Sequence, residues 1–229
     1  MHANQTSVSQ AGTHQTATHE LRHHFADMEQ QRDTASFGMW IFLITEIMFF
    51  GGLFCSYLIY RFLYPTAFQE GSEHMSLWIG ATNTAVLICS SLTMVLAVHA
   101  AKTSQRKKII FFLLLTLIFG FVFLGLKGVE YHEHWVKMEF PGPSFHFEGT
   151  DPRHTEMFFV LYFVMTGLHA LHMIIGAGMV LFLMYYAYRG HYSAEYHNPV
   201  EIGGLYWHFV DIVWIFLFPL LYLISHKHV

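Results

Sequence analysis

Charged residues are scarce in this chain. Asp, Glu, Lys and Arg make up 12% of its 229 residues, against roughly 25% in an ordinary soluble domain. With 54% hydrophobic and 17% aromatic residues beside that shortage, a soluble globular chain is excluded. Cysteine is nearly missing too. The two that occur, Cys55 and Cys89, lie inside apolar runs, which argues against a disulfide framework or thiolate metal clamp and reads them as small buried hydrophobes. A formal charge of -4 and a pI near 6.5 leave no electrostatic case for a nucleic-acid partner. The sequence has no phosphate-binding glycine loop, no nucleophile elbow and no zinc spacing. It also lacks the paired similar segments expected of an inverted-repeat transporter.

Long hydrophobic runs are what the chain does have. Their lengths predict an all-α, polytopic membrane helix bundle with five transmembrane helices, at about 37–63, 77–101, 109–128, 156–188 and 202–225. Residues 36–229 would form this membrane domain. Residues 1–35, rich in Gln, Thr, Ser and His, would form a cytoplasmic tail with too little apolar surface to offset the entropy of ordering, hence disordered. Within the tail, His19, His23 and His24 have the spacing of a membrane di-iron motif. A solvated His-rich tail is the preferred reading, since a working metal site needs further ligands on rigid elements.

The short connection bearing Lys102, Arg106, Lys107 and Lys108 is basic enough to be held on the cytoplasmic side. Five spans then place the N-terminus inside and the C-terminus outside. Lys127, near the end of the third span, is predicted to snorkel to the interface. Glu130, His132, Glu133 and His134 follow it and are chemically suited to ligate a metal. An exposed polar helix end yields the same residues and is the preferred reading.

Inside the spans stand Glu46, Asn83, His169, His172, Trp207, His208, Asp211 and Trp214. A carboxylate at the centre of a spanning helix costs about 2.5 to 3.5 kcal/mol, so Asp211 must face protein or water rather than lipid. His208 lies three residues before it on one face and is placed to hydrogen-bond it. Trp207 and Trp214 stand seven apart on a neighbouring stripe, giving the last helix a polar, aromatic seam meant for another surface. Asn83, with Thr84, Ser90, Ser91 and Thr93, marks the second span as a central helix, because small and hydroxyl residues allow close approach and cross-helix bonds. His169 and His172 share a face. They could serve a haem opposite His208, but hydrogen bonds to neighbouring helices are the simpler reading. Glu46 is either a functional carboxyl group or a neutral acid bonded to a neighbouring helix.

Tyr206-Trp207-His208-Phe209-Val210-Asp211-Ile212-Val213-Trp214, preceded by Thr166-Gly167-Leu168-His169-Ala170-Leu171-His172-Met173-Ile174-Ile175-Gly176, resembles subunit III of the haem-copper oxidases, specifically of cytochrome c oxidase. Glu46, Asn83-Thr84, Ser90-Ser91-Leu92-Thr93 and Glu130-Tyr131 agree with the same family, and the resemblance covers about 37–225. It implies a non-redox subunit of an aerobic respiratory oxidase with no catalytic, cofactor-binding or metal-ligating residue of its own. Such a subunit packs on the catalytic haem-copper subunit I, in company with subunit II and smaller subunits, and those partners carry the haem and copper. It would stabilise that subunit in turnover, support proton uptake and bind phospholipid. Glu46 would be the acid that reacts with hydrophobic carbodiimides, and Arg189 is a candidate contact for a lipid headgroup. A bacterial plasma membrane follows from the five-span form, since the mitochondrial form has seven spans where this chain has a tail. Subunit III of a quinol oxidase and an accessory protein of a nitric oxide reductase share these features. From other classes, the alternatives are a His-rich di-iron or haem membrane enzyme and an ion transporter using Glu46 and Asp211.

Overall fold

Residues 28–142, 145–147, 149–192 and 196–224 are described by the structure, a computed structural model. They form six helices and no strand: α1 Met28–Leu63, α2 Pro65–Glu73, α3 Leu77–Lys102, α4 Arg106–Val136, α5 Pro152–Arg189 and α6 Asn198–Tyr222. All except α2 are long and apolar enough to cross a membrane, so the five-span, all-α expectation holds. In hydrocarbon a helix satisfies its own backbone groups, which is why each apolar run takes this form.

The start of α1 departs from the sequence reading. The tail was expected to stay disordered to residue 35, but the helix begins at Met28. Residues 29–36 are polar, yet extending a helix that already exists adds one hydrogen bond per residue fixed and needs no new nucleus. Glu29 in the first turn also suits the positive end of the helix. His19, His23 and His24 lie outside the described residues.

The chain divides into two units, Met1–Ile41 and Phe42–Val229. In the first, the described residues are the opening turns of α1, with Phe37, Trp40 and Ile41 exposed. The second holds the rest of α1 and the bundle. There α1 docks through a stripe seven residues apart: Phe50 and Tyr57 are buried in line with Leu43. The Tyr57 hydroxyl donates to the Leu220 carbonyl at 2.5 Å, and Phe50 and Phe54 meet Phe209 and Phe216 of α6.

Local signals fix the helix ends. Pro65, Pro152 and Pro199 open α2, α5 and α6, where the missing N–H has no partner to lose. Asp151 accepts from the His154 backbone N–H at 3.4 Å to cap α5, and Gly190 ends it with φ +77°, a left-handed turn that glycine adopts freely. The helix α2, tucked between the first two spans, was not foreseen. Its Ser72 hydroxyl donates to the Leu221 carbonyl at 2.9 Å and ties it to α6.

α3 packs on both α4 and α6 through Gly80, Ser90, Thr93 and Ala97, residues small enough for close approach. It is not the central helix expected: α3, α4, α5 and α6 each meet two of the others, and α5 and α6 are more deeply buried. The cysteine expectation fails: Cys55 and Cys89 are both exposed. A membrane helix is apolar on its lipid face and its packed face alike, so hydrophobic surroundings in the sequence do not distinguish the two.

Candidate functional site

The largest polar feature of the bundle is one the sequence reading placed at the surface. Lys127 does not snorkel: it is 4% exposed, and Glu130, expected at an open helix end, is 1% exposed. Because α4 runs on to Val136 rather than stopping near residue 128, its i, i+3 pair falls well inside the protein. Lys127 Nζ donates to Glu130 Oε2 at 2.7 Å, to the Tyr162 hydroxyl at 3.0 Å and to the Tyr222 hydroxyl at 2.9 Å. Those three bonds use every ammonium hydrogen. Tyr222 donates in turn to Glu130 Oε1 at 2.6 Å, and the Trp214 ring lies 5.1 Å from Nζ. Helices α4, α5 and α6 thus meet at a fully bonded ion pair. The spacing of Lys127 and Glu130 on one face was the signal available in the sequence.

Toward the other end of the bundle, hydroxyl groups join α3, α4 and α6. Trp207 Nε1 donates to Ser90 Oγ at 3.0 Å, and the Thr93 and Thr116 hydroxyls pair at 2.8 Å. Trp214 Nε1 donates to Thr84 Oγ1 at 3.1 Å. Both tryptophans are wholly buried within this chain, so this part of the expected seam is closed by the chain's own helices.

Glu46 and His172 come together across α1 and α5. His172 Nδ1–H donates to the Leu168 carbonyl at 2.8 Å, which leaves Nε2 at 3.2 Å from Glu46 Oε2. A hydrogen bond between those two atoms needs one proton, carried by either the acid or the imidazole. The pair joins α1 and α5, with side chains 20% and 13% exposed.

The remaining intramembrane residues are less well partnered. His169 sits among Phe123 and Trp214 with ring centroids 5.3 Å away. Neither of its nitrogens has a hydrogen-bond partner among the described residues, and the same holds for the amide of buried Asn83. The expected bond between His208 and Asp211 does not form. His208 Nδ1 lies 2.7 Å from Ser91 Oγ of α3 instead, and both Asp211 oxygens lack a partner among the described residues. A neighbouring helix offered the imidazole a hydroxyl, which spacing along α6 alone could not reveal. Arg189, exposed at the C-terminal end of α5, rests its Nε and Nη2 on the Tyr185 hydroxyl at 3.0 and 2.8 Å.

On the opposite face, Glu139 accepts from His134 Nδ1 and His74 Nδ1, both at 2.6 Å. Burial pushes its carboxyl up, but the hydrogen bonds from His134 and His74 outweigh that, and the net position is below the ordinary carboxylate value. A depressed acid contributes stability above its unfolded value and loses it as pH falls through the folded one. Acidification below about pH 4.5 should therefore lower hydrogen-exchange protection in residues 137–142, after correction for intrinsic rates. Glu139→Gln should start with lower protection and show little further loss. Protection in the parent that stays constant down to about pH 3 would contradict the clasp. Among the described residues no three His, Cys, Asp or Glu side chains converge as a metal site, and His169, His172 and His208 do not gather around a common point for a haem iron, each having separate surroundings.

Comparison with known proteins agrees with this arrangement. The family description "Cytochrome c oxidase subunit III" matches residues 14–226. Among curated relatives, the cytochrome c oxidase subunit 3 of Thermostichus vulcanus is 34% identical over 189 residues, 82% of this chain and 86% of that protein. The subunit 3 of a Synechocystis strain is 35% identical over 194 residues, 84% of this chain and 76% of its own length. That of Salmo salar is 31% identical over 198 residues, covering 81% and 68%.

Proposed function

The chain belongs to the cytochrome c oxidase subunit III family, and from that premise we propose that it packs against the catalytic haem-copper subunit of a bacterial oxidase, alongside subunit II and smaller subunits. The family's subunit III is a non-catalytic member of a multi-subunit oxidase without a metal centre of its own, and this chain is a multi-pass membrane protein. Haem and copper belong to the partner subunits. The basic connection from Lys102 to Lys108 supports an orientation with the N-terminus in the cytoplasm and the C-terminus outside. Arg189, exposed at the cytoplasmic end of α5 and held on Tyr185, faces phospholipid headgroups there.

The observation that carries this reading is how the intramembrane polar groups are used. Lys127 and Glu130 neutralise each other, and the tryptophan and threonine bonds close on one another across α3, α4 and α6. These contacts build a rigid scaffold. The Glu46–His172 pair, an acid and an imidazole in contact within the spans, supports a part in sustaining proton uptake by the neighbouring subunit.

The test is isolation of the native assembly through a tag on this chain. A companion subunit with haem and copper spectra should co-purify, with a dicopper subunit marking cytochrome c rather than quinol as donor. A Soret band or stoichiometric iron that stays with the isolated chain overturns the reading. Within that assembly, Glu46→Gln should leave complex yield near the parent level, because the amide can donate to His172 Nε2 as a protonated acid does. Glu46→Leu removes that donor and should lower stability by about 1 to 3 kcal/mol in a thermal melt. Loss of the complex with the Gln variant would contradict a shared proton at this pair.

A further inference from the structure

Between α3 and α6 runs a groove of about 370 Å³ that the bundle does not fill, lined by apolar side chains and by Ser91, His208 and Asp211. Asp211 is 3% exposed, and both its oxygens lack a hydrogen-bond partner among the described residues. The Ser91 hydroxyl faces it and also lies 2.7 Å from His208 Nδ1. Whichever way that bond runs, one hydroxyl offers Asp211 at most one donor, while a carboxyl group can accept at several positions. A buried acid left in this state costs several kcal/mol in hydrocarbon, and such residues characteristically face a protein partner or water.

The position of the groove selects among occupants. Ser91 and Asp211 each lie eleven residues before the end of their helix at Lys102 or Tyr222, about 16 Å along the axis. A phospholipid headgroup therefore cannot reach them, and an acyl chain has no donor to offer. The rim is apolar and open: Ile88 is 56% and Leu92 60% exposed. A surface of this kind, apolar at the edge with an acceptor at its floor, matches a helix carrying a hydroxyl, amide, imidazole or cationic side chain.

We infer that the α3/α6 groove receives a transmembrane helix of another oxidase subunit, which places a hydrogen-bond donor on Asp211 at mid-membrane. This rests on the reading of the chain as a subunit of a larger assembly and names the face and the chemistry by which it is held. Ser91, His208 and Asp211 line the groove together, and the incoming donor supplies the hydrogen bond that Asp211 lacks.

The experiment uses the tagged, assembled complex with a photoreactive benzoylphenylalanine at Ile88 or at Ile215 on the opposite rim. Illumination should join this chain to another subunit of the same complex. Adducts only with lipid, or with a second copy of this chain, overturn the proposal while leaving the assembly reading intact. A second variant, Ile88→Trp, fills the groove mouth without touching Asp211. It should leave the chain's membrane level and melting temperature unchanged while companion subunits fall roughly tenfold in yield, equivalent to about 1.4 kcal/mol. Undiminished companions with that variant overturn the groove assignment. If the unaltered chain itself purifies without companions, the assembly reading falls and the groove assignment falls with it.

Discussion

Lys127→Met should destabilise the bundle by about 3 to 5 kcal/mol, the range expected when one member of a buried ion pair is removed. The variant leaves Glu130 with its Tyr222 hydrogen bond but without the ammonium 2.7 Å from Oε2. It also strands two phenolic oxygens that accept from Nζ. The cation's contacts with the Tyr162 and Trp214 rings, at 4.9 and 5.1 Å, go at the same time. Replacing both charges, as Lys127→Met with Glu130→Met, should recover most of the loss, because a buried pair and a well-packed apolar substitute are often close in free energy. The comparison is a thermal or denaturant melt of the purified assembly, followed by tyrosine fluorescence. Equal stability of parent and Lys127→Met would show that the ion pair does not bind α4, α5 and α6 together. A double variant as poor as the single would show instead that packing around the methylenes carries the effect.

The same residue explains what the sequence could and could not convey. Five apolar runs gave the spans directly, because a helix is the only open-chain way to hide a backbone in lipid. The inward turn of Lys127 was not legible, since the third span had been ended by hydropathy near residue 128, whereas the helix carries its polar last turns to Val136. A lysine at an apparent span end looks the same in sequence whether it reaches out to water or in to a carboxylate. The polar opening of α1 failed for a related reason: residues 29–36 resemble a tail in composition and become helical as an extension of an apolar segment.

The intramembrane site residues divide in the same way. Pairings within one helix could be guessed from spacing, and the guess for His208 and Asp211 was displaced by Ser91 from α3. Pairings across helices, such as Glu46 with His172 and Lys127 with Tyr222, depend on how α1, α4, α5 and α6 are rotated. Uniformly apolar helices have no polar face to set that rotation in advance. The clasp of Glu139 with His74 and His134 depends further on the path of two connections and had no signature in the sequence.

Trp207→Ala should cost about 3 to 5 kcal/mol, as expected for truncating a fully buried tryptophan, and it removes the bond to Ser90 as well. The indole is held between two glycines. A Cβ at Gly120 would stand 3.0 Å from its Cη2, and one at Gly176 would stand 3.1 Å from its Cε3. Gly120→Ala in the parent should therefore destabilise by about 1 kcal/mol or more, the overpacking against a rigid ring outweighing alanine's better helix propensity. In a Trp207→Phe background the ring atoms that crowd Gly120 are gone. There the same Gly120→Ala change should become neutral or stabilising by up to about 1 kcal/mol. A reversal of sign between the two backgrounds is a coupling that propensity alone cannot produce, since propensity acts equally in both. Melts of the four proteins in one detergent give the coupling directly. If Gly120→Ala has the same effect with and without the indole, then the Trp207 ring does not limit what position 120 of α4 can hold, and the contact at Gly120 carries no coupling.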